Sequence, residues 1–196
     1  MIISFITLPS PPTGDPGSPG ITTVCPSPVS SYTEEQLAGE HIGELLWAAY
    51  ALSNARKKSH ANRSNWLIFY VCWADAVWRY HPQGHCLTRH LNSDVRRELA
   101  DAVWNRWFIA QAPCVFVITT VPKRGRRERC GEQWQLWYPS VEAGRAAERM
   151  LLQSTVLGLA GVVVSEFESA EVKRHLILSR QEEPMCLVPV GWCDQG

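Results

Sequence analysis

No stretch of about 18 consecutive apolar residues occurs in the sequence, so no membrane-spanning helix is expected. Neither sign of charge is in excess. Lys and Arg number 19, Asp and Glu 19, and that balance offers nucleic acid or an anionic lipid surface no net field. There is no Cys-x-x-Cys pair. Seven cysteines, an odd number scattered along the chain, argue for reduced thiols in a cytoplasmic protein rather than a disulfide framework. A glycine-rich phosphate loop, a Ser-His-Asp order and a zinc-ligand spacing are all missing. The opening Met1 to Leu8 is apolar, but it is short and lacks the basic start of a secretory signal. What remains reads as one globular domain: 196 residues are enough to bury a sizeable core.

Proline, glycine, serine and threonine crowd Pro9 to Pro28, which sets residues 1–30 apart as an arm or linker before a domain over 31–196. The spine of that domain is Val141 to Leu157. Ala143, Ala147, Met150, Leu151, Ser154 and Leu157 recur at three- and four-residue spacing, which predicts one long helix beginning near Tyr138. Its apolar character places it in the middle of the domain, and its small residues admit another backbone. Gly158 ends it, and Leu159-Ala160-Gly161 turns into a β-branched strand, Val162-Val163-Val164. A flat ligand can approach bare backbone at such a glycine-lined turn.

Earlier in the chain, Glu40 to Leu52 is a helix with Ile42, Leu45, Leu46, Ala49 and Tyr50 on its apolar face, and Gly39 interrupts any earlier start. Trp66 to Cys72 and Ala76 to Tyr80 form a hairpin about Ala74-Asp75, followed by a turn over His81 to His85. Asp94 opens a helix to about Trp107, with Val95, Leu99, Ala102 and Val103 facing inward. Cys114 to Thr120 is a buried strand, Ala170 to Leu176 a short helix, and Met185 to Gly191 a last strand. Helices alternate with strands, but the early hairpin favours an α+β sandwich with a mixed sheet over a doubly wound one. Nine tryptophans mark a stacking surface or aromatic packing. His81, His85, Cys86 and His90 lie close together, yet Pro82 and Gly84 forbid a helical ligand pair, so no metal is assigned. Lys123 to Arg129 is read as a solvated basic loop.

Several segments, in order, give a resemblance to the nitroreductase-like flavoproteins, particularly the SagB-type dehydrogenase branch. They are Leu45 to Tyr50, Val77-Trp78-Arg79-Tyr80-His81-Pro82 with His85 and Leu87, Ile109 to Pro113, Glu142-Ala143-Gly144 with Leu151-Leu152-Gln153, Leu157-Gly158-Leu159, and Glu183 to Gly191. The resemblance covers about Ser31 to Gly191. It implies a three-layer α/β/α sandwich with a mixed, mainly antiparallel sheet, and a homodimer with FMN between the subunits.

Family members grip the FMN phosphate with Arg-Arg-Ser-x-Arg ahead of the first helix. Here that place reads Pro26-Ser27-Pro28-Val29-Ser30, without an arginine. A second family element, Pro-Ser-Ala-x-Asn-x-Gln, is matched in frame by Ser59-His60-Ala61-Asn62-Arg63-Ser64-Asn65. On this reading Arg56, Lys58 and Arg63 meet the phosphate. Ser59, Asn62 and Ser64 bond the ribityl chain or the ring, and backbone at Gly161, Val162 and Val163 serves the ring edge. His60 is the candidate catalytic residue, exchanging a proton with substrate. The implied activity is an FMN-dependent two-electron oxidation or reduction of a small molecule or modified peptide. The alternative is a non-catalytic partner subunit that keeps the fold and has lost the flavin.

Overall fold

The computed structural model describes residues 31–55, 67–104, 108–121 and 134–193. The arm over 1–30 and the basic loop over Lys123 to Arg129 lie outside them. In chain order the elements are α1 (Gly39–Ala55), β1 (Leu67–Trp73), β2 (Ala76–His81), β3 (Cys86–Leu91), α2 (Arg96–Asp101), α3 (Phe108–Gln111), β4 (Cys114–Thr120), α4 (Trp134–Val156), β5 (Ala160–Gly161), α5 (Ser169–His175) and β6 (Glu183–Gly191). The strands form one sheet in the order β3-β2-β1-β4-β6-β5. Every ladder between them is antiparallel, so the described sheet lacks the parallel component of a mixed one.

All seven residues of β4 are buried, and strand alternation explains how. Cys114, Phe116 and Ile118 point into a core under α1 and α4, where Ile42, Leu45, Leu46 and Ala49 meet Ala143, Ala146, Ala147 and Met150. Val115 and Val117 point the other way, into a core with Leu99, Ile109 and Val172 from α2, α3 and α5. β1 divides likewise, Phe69 and Val71 to the first core and Tyr70 and Cys72 to the second. Two cores on the two faces of one sheet make the three-layer α+β sandwich. Among the described residues no helix is long and apolar enough to cross a membrane.

The helix α4 starts at Trp134, four residues before the expected Tyr138, and runs through the buried Pro139 at the loss of one intrahelical hydrogen bond. The predicted stripe of Ala143, Ala147, Met150, Leu151 and Ser154 is buried. Its position is corrected, however. The helix lies in an outer layer, with Trp137, Val141, Leu152 and Val156 exposed on its far side. Gly158 ends the helix turn at φ 72, a conformation that glycine adopts without strain.

The expected strand Val162 to Val164 is reduced to Ala160–Gly161 and an isolated bridge between Val164 and Leu187. Pro189 gives the reason. It has no N–H to donate across to this edge, and its carbonyl takes the Val162 amide at 3.3 Å and the Tyr32 hydroxyl at 3.0 Å. The Ala74-Asp75 hairpin turn is as expected, with both residues in the left-handed region a tight two-residue turn requires. Beyond the His81–His85 turn the chain forms β3, a half-solvated edge strand whose Thr88, Arg89 and His90 concealed it from a hydrophobic pattern. Regular helix after Asp94 stops at Asp101 and resumes at Phe108, where one helix to about Trp107 was expected.

Arg96 ties this region together. It donates to Asp94 and to the carbonyls of Ala112 and Pro113 at 2.9 and 3.1 Å. Burial alone would raise the Asp94 carboxyl, but the hydrogen bonds and charge of Arg96 outweigh it and hold the group below its ordinary value. A carboxyl lowered on folding adds stability above its unfolded pKa, about 3.9, and loses it as pH falls through the folded value. Urea unfolding of wild type and Asp94→Asn between pH 6 and 2.5 is expected to show an advantage for wild type that shrinks as acid is added. An advantage independent of pH would contradict the linkage.

Candidate functional site

The described part of the site is the edge where α4, β5 and the end of β6 meet. Gly161 faces inward: a Cβ there would lie 2.9 Å from Leu151 Cδ2 and 3.2 Å from Val190 Cγ2. The bareness of Gly161 therefore serves close packing of α4 on the sheet. Its neighbour Val162 is half-buried, and Val163 stands 37 % exposed. Of the three residues read from the sequence at this turn, Val163 is the one presented outward.

Beside this edge the two ends of the described chain are joined. Tyr32 bridges Cys193, and the Thr33 amide donates to the Trp192 carbonyl at 2.9 Å. Burial first, then the neighbouring Cys193 and Cys114, pushes the Tyr32 phenol well up, so it remains a neutral donor to Pro189. Trp192 packs edge-on against His41, with ring centroids 5.7 Å apart. Its indole Nε1 is buried without a partner among the described residues. A buried donor left unmet costs about 1–3 kcal/mol, so an acceptor brought to this turn would be favourable. In that respect the described residues fit a ligand rich in oxygen acceptors, such as FMN.

Arg56, Lys58, Ser59, His60, Asn62, Arg63 and Ser64 lie outside the described residues, between Ala55 and Leu67. The sheet register shows where the segment re-enters. Leu67 pairs with Thr120, and Thr120 pairs with Glu183 at the start of β6. Gly161 pairs with Val190, seven residues further along that strand, or about 23 Å at 3.3 Å per residue. Within one chain, Leu67 and Gly161 thus lie toward opposite ends of the sheet.

Sequence reasoning missed a second surface. Glu44, Trp47 and Ala48 of α1 and Arg149, Leu152, Gln153 and Val156 of α4 line an open groove of about 420 Å³. Gln153 Nε2 donates to Glu44 Oε2 at 3.0 Å across it. The signal was present as pairs at i,i+4, Trp137 with Val141 and Leu152 with Val156. These make a second apolar stripe opposite the core stripe of α4. Among the described residues no group of three His, Cys, Asp or Glu could hold a metal ion.

Residues 29–192 match the Nitroreductase family. The chain belongs to the nitroreductase family. A nitroreductase-like protein of Methanocaldococcus jannaschii is 31% identical over 172 residues, which are 83% of this chain and 85% of the relative. Among solved structures, a nitroreductase-like protein of Ralstonia eutropha superposes with a TM-score of 0.71 at 23% identity, covering 85% of this chain and 78% of its own. An FMN-dependent nitroreductase of Clostridium difficile superposes with a TM-score of 0.56 at 16% identity, covering 86% and 83%. The two structural likenesses establish the nitroreductase fold. Family membership rests on the sequence match and makes the chain a nitroreductase-family oxidoreductase.

Proposed function

We propose that this protein is a cytoplasmic FMN-dependent oxidoreductase acting as a homodimer, with the flavin held between two copies. Within the family we read it as SagB-type, oxidising or reducing a small molecule or modified peptide by two electrons. The observation that supports the reading is the separation of Leu67 from Gly161 along the sheet. On this reading a second copy would bring its own 56–64 segment to the Gly161–Val163 edge of the first, and the apolar residues exposed on α1 and α4 would give the copies a surface to join. Bound flavin would supply the two-electron chemistry. Arg56, Lys58 and Arg63 would offset the phosphate charge, Ser59, Asn62 and Ser64 would hydrogen-bond the ribityl chain or ring, and the backbone at Val162–Val163 would meet the ring edge. His60 would hold or deliver a proton to substrate.

The test is an absorption spectrum of freshly purified protein. Flavin bands and FMN released on heating are expected, and Asn62→Ala is expected to weaken FMN affinity about tenfold, as loss of roughly 1.4 kcal/mol does, and so to lower flavin occupancy. Occupancy unchanged in that variant would remove residues 59–64 from the site. A second reading is favoured by the arginine-free Pro26 to Ser30: a non-catalytic member that serves as partner to another protein subunit. Colourless protein that FMN does not reconstitute would select it.

A further inference from the structure

The indole N–H groups of this chain are met unevenly. Trp73 Nε1 donates to the Leu37 carbonyl at 2.9 Å, and Trp78 Nε1 to the Trp73 carbonyl at 3.1 Å. Trp192 is half-buried like both, yet its Nε1 is closed off from solvent with no acceptor among the described residues. Its surroundings hold the indole where it is. The Trp192 carbonyl takes the Thr33 amide at 2.9 Å, and Cys193 after it bridges Tyr32. His41 meets the ring edge-on with planes at 81°. On the helix-end side, Cζ3 lies 3.8 Å from where a Cβ at Gly158 would stand. A donor held so and left unmet is unfavourable in the free protein, and it becomes favourable once an oxygen is brought to it.

Its place along β6 says which oxygen. The ladder pairs Gly161 with Val190 and Val164 with Leu187, so Val163 stands across from Val188. Trp192 follows four residues later, about 13 Å along the strand at 3.3 Å per residue. One flavin bridges such a span between its ring edge and its side chain. We propose that Trp192 is a cofactor-binding residue whose indole N–H donates to a hydroxyl oxygen of the flavin's ribityl tail, while the ring edge lies at the Val162–Val163 backbone. The proposal rests on the flavin reading above and adds the residue that sets where the tail runs.

The chemistry of the donor favours the tail hydroxyls over the phosphate. An indole supplies a single uncharged N–H. A phosphate dianion needs cations or several donors to offset its lost hydration, and one neutral group does not provide that. Ribityl hydroxyls are uncharged, and each can accept such a bond while donating elsewhere. His41 has the same character. Its Nδ1 accepts the Ala38 amide at 3.3 Å, which puts the proton of the neutral ring on Nε2 as a further donor. Tyr32, the hydroxyl at this turn, already donates to the Pro189 carbonyl. The turn thus suits uncharged oxygen acceptors, and the phosphate is left to the cations of the 56–63 segment.

The experiment takes the full chain stripped of flavin and titrates it with FMN, riboflavin and lumiflavin, which has the ring without the tail. Wild type is compared with Trp192→Phe, which keeps an aromatic ring beside His41 and removes the N–H. In the variant, affinity for FMN and for riboflavin falls about tenfold, roughly one hydrogen bond, and affinity for lumiflavin is unchanged. A second measurement needs no variant: one indole N–H resonance of nitrogen-labelled wild type moves downfield with riboflavin and not with lumiflavin. Unchanged affinity for FMN and riboflavin in Trp192→Phe, or an indole spectrum indifferent to riboflavin, overturns the proposal and leaves the flavin reading standing. A loss shared by lumiflavin overturns it too, by moving the effect to the ring or to packing, as does a loss confined to FMN, by moving it to the phosphate. A wild-type chain that binds none of the three overturns both.

Discussion

Phe116→Ala lowers the free energy of unfolding by about 4 kcal/mol, within the range for truncating a buried phenylalanine. Phe116 is 0% exposed and sits at the middle of β4, opposite Val71 on β1 and Val188 on β6. Its ring belongs to the core beneath α1 and α4, the same cluster as Leu45, Ala147 and Met150 of those helices. Ladders on both sides hold the strand in place, so the walls of the cavity cannot close by moving β4. For a domain of this size each kcal/mol shifts the melting temperature by about 2–4 °C, which makes the expected drop about 8–16 °C. Urea unfolding reads it as a lower midpoint at unchanged slope. A loss below about 1 kcal/mol would show that the layers slide together more freely than these ladders suggest.

Gly191→Ala is expected to cost about 3 kcal/mol, as overpacking of a tight site does. The added carbon would lie 2.5 Å from Pro113 Cδ, 2.7 Å from Pro113 Cγ and 2.8 Å from Tyr32 Cδ1. None of these is the loose end of a flexible side chain. Pro113 is a ring leading into β4, and Tyr32 is buried and tied to Pro189. Relief requires the end of β6 to move, carrying Ala160 paired to it and Trp192 after it. The variant also tests the proposed site: if wild type carries FMN as proposed, its FMN occupancy falls along with the melting temperature. Gly144→Ala is the control. Nothing lies within 4 Å of a Cβ there, and the position is an exposed helix interior. It is expected to be neutral or to gain up to about 1 kcal/mol. Equal losses in the two variants would refute the packing argument.

Periodicity made the framework legible. The Ile42-Leu45-Leu46-Ala49 face, the Ala143 to Ser154 stripe and the apolar Cys114 to Ile118 of β4 each lie in the core as their spacing requires. The Ala74-Asp75 hairpin and the helix end at Gly158 were legible because few conformations suit those turns. β3 was not, since an edge strand with one wet face carries Thr88, Arg89 and His90 and leaves no apolar run. The outer position of α4 was hidden as well. A second apolar stripe reads as deeper burial until the core is seen to cover only one side. At the candidate site, the glycine-edged turn was found from composition. That Gly161 is filled by Leu151 and Val190, leaving Val163 outward, depends on contacts between elements distant in sequence.

The order of residues by itself determined the alternation of helix and strand and the lack of an apolar run long enough for a membrane-crossing helix, because each follows from local spacing. Tertiary structure decided the strand order, the antiparallel ladders and the distance that separates Leu67 from Gly161 along the sheet. It also decided that Trp47, His85 and the outer stripe of α4 form one surface. Those are relations between segments tens of residues apart. They are set by which faces pack together, and no window of neighbouring residues contains that information.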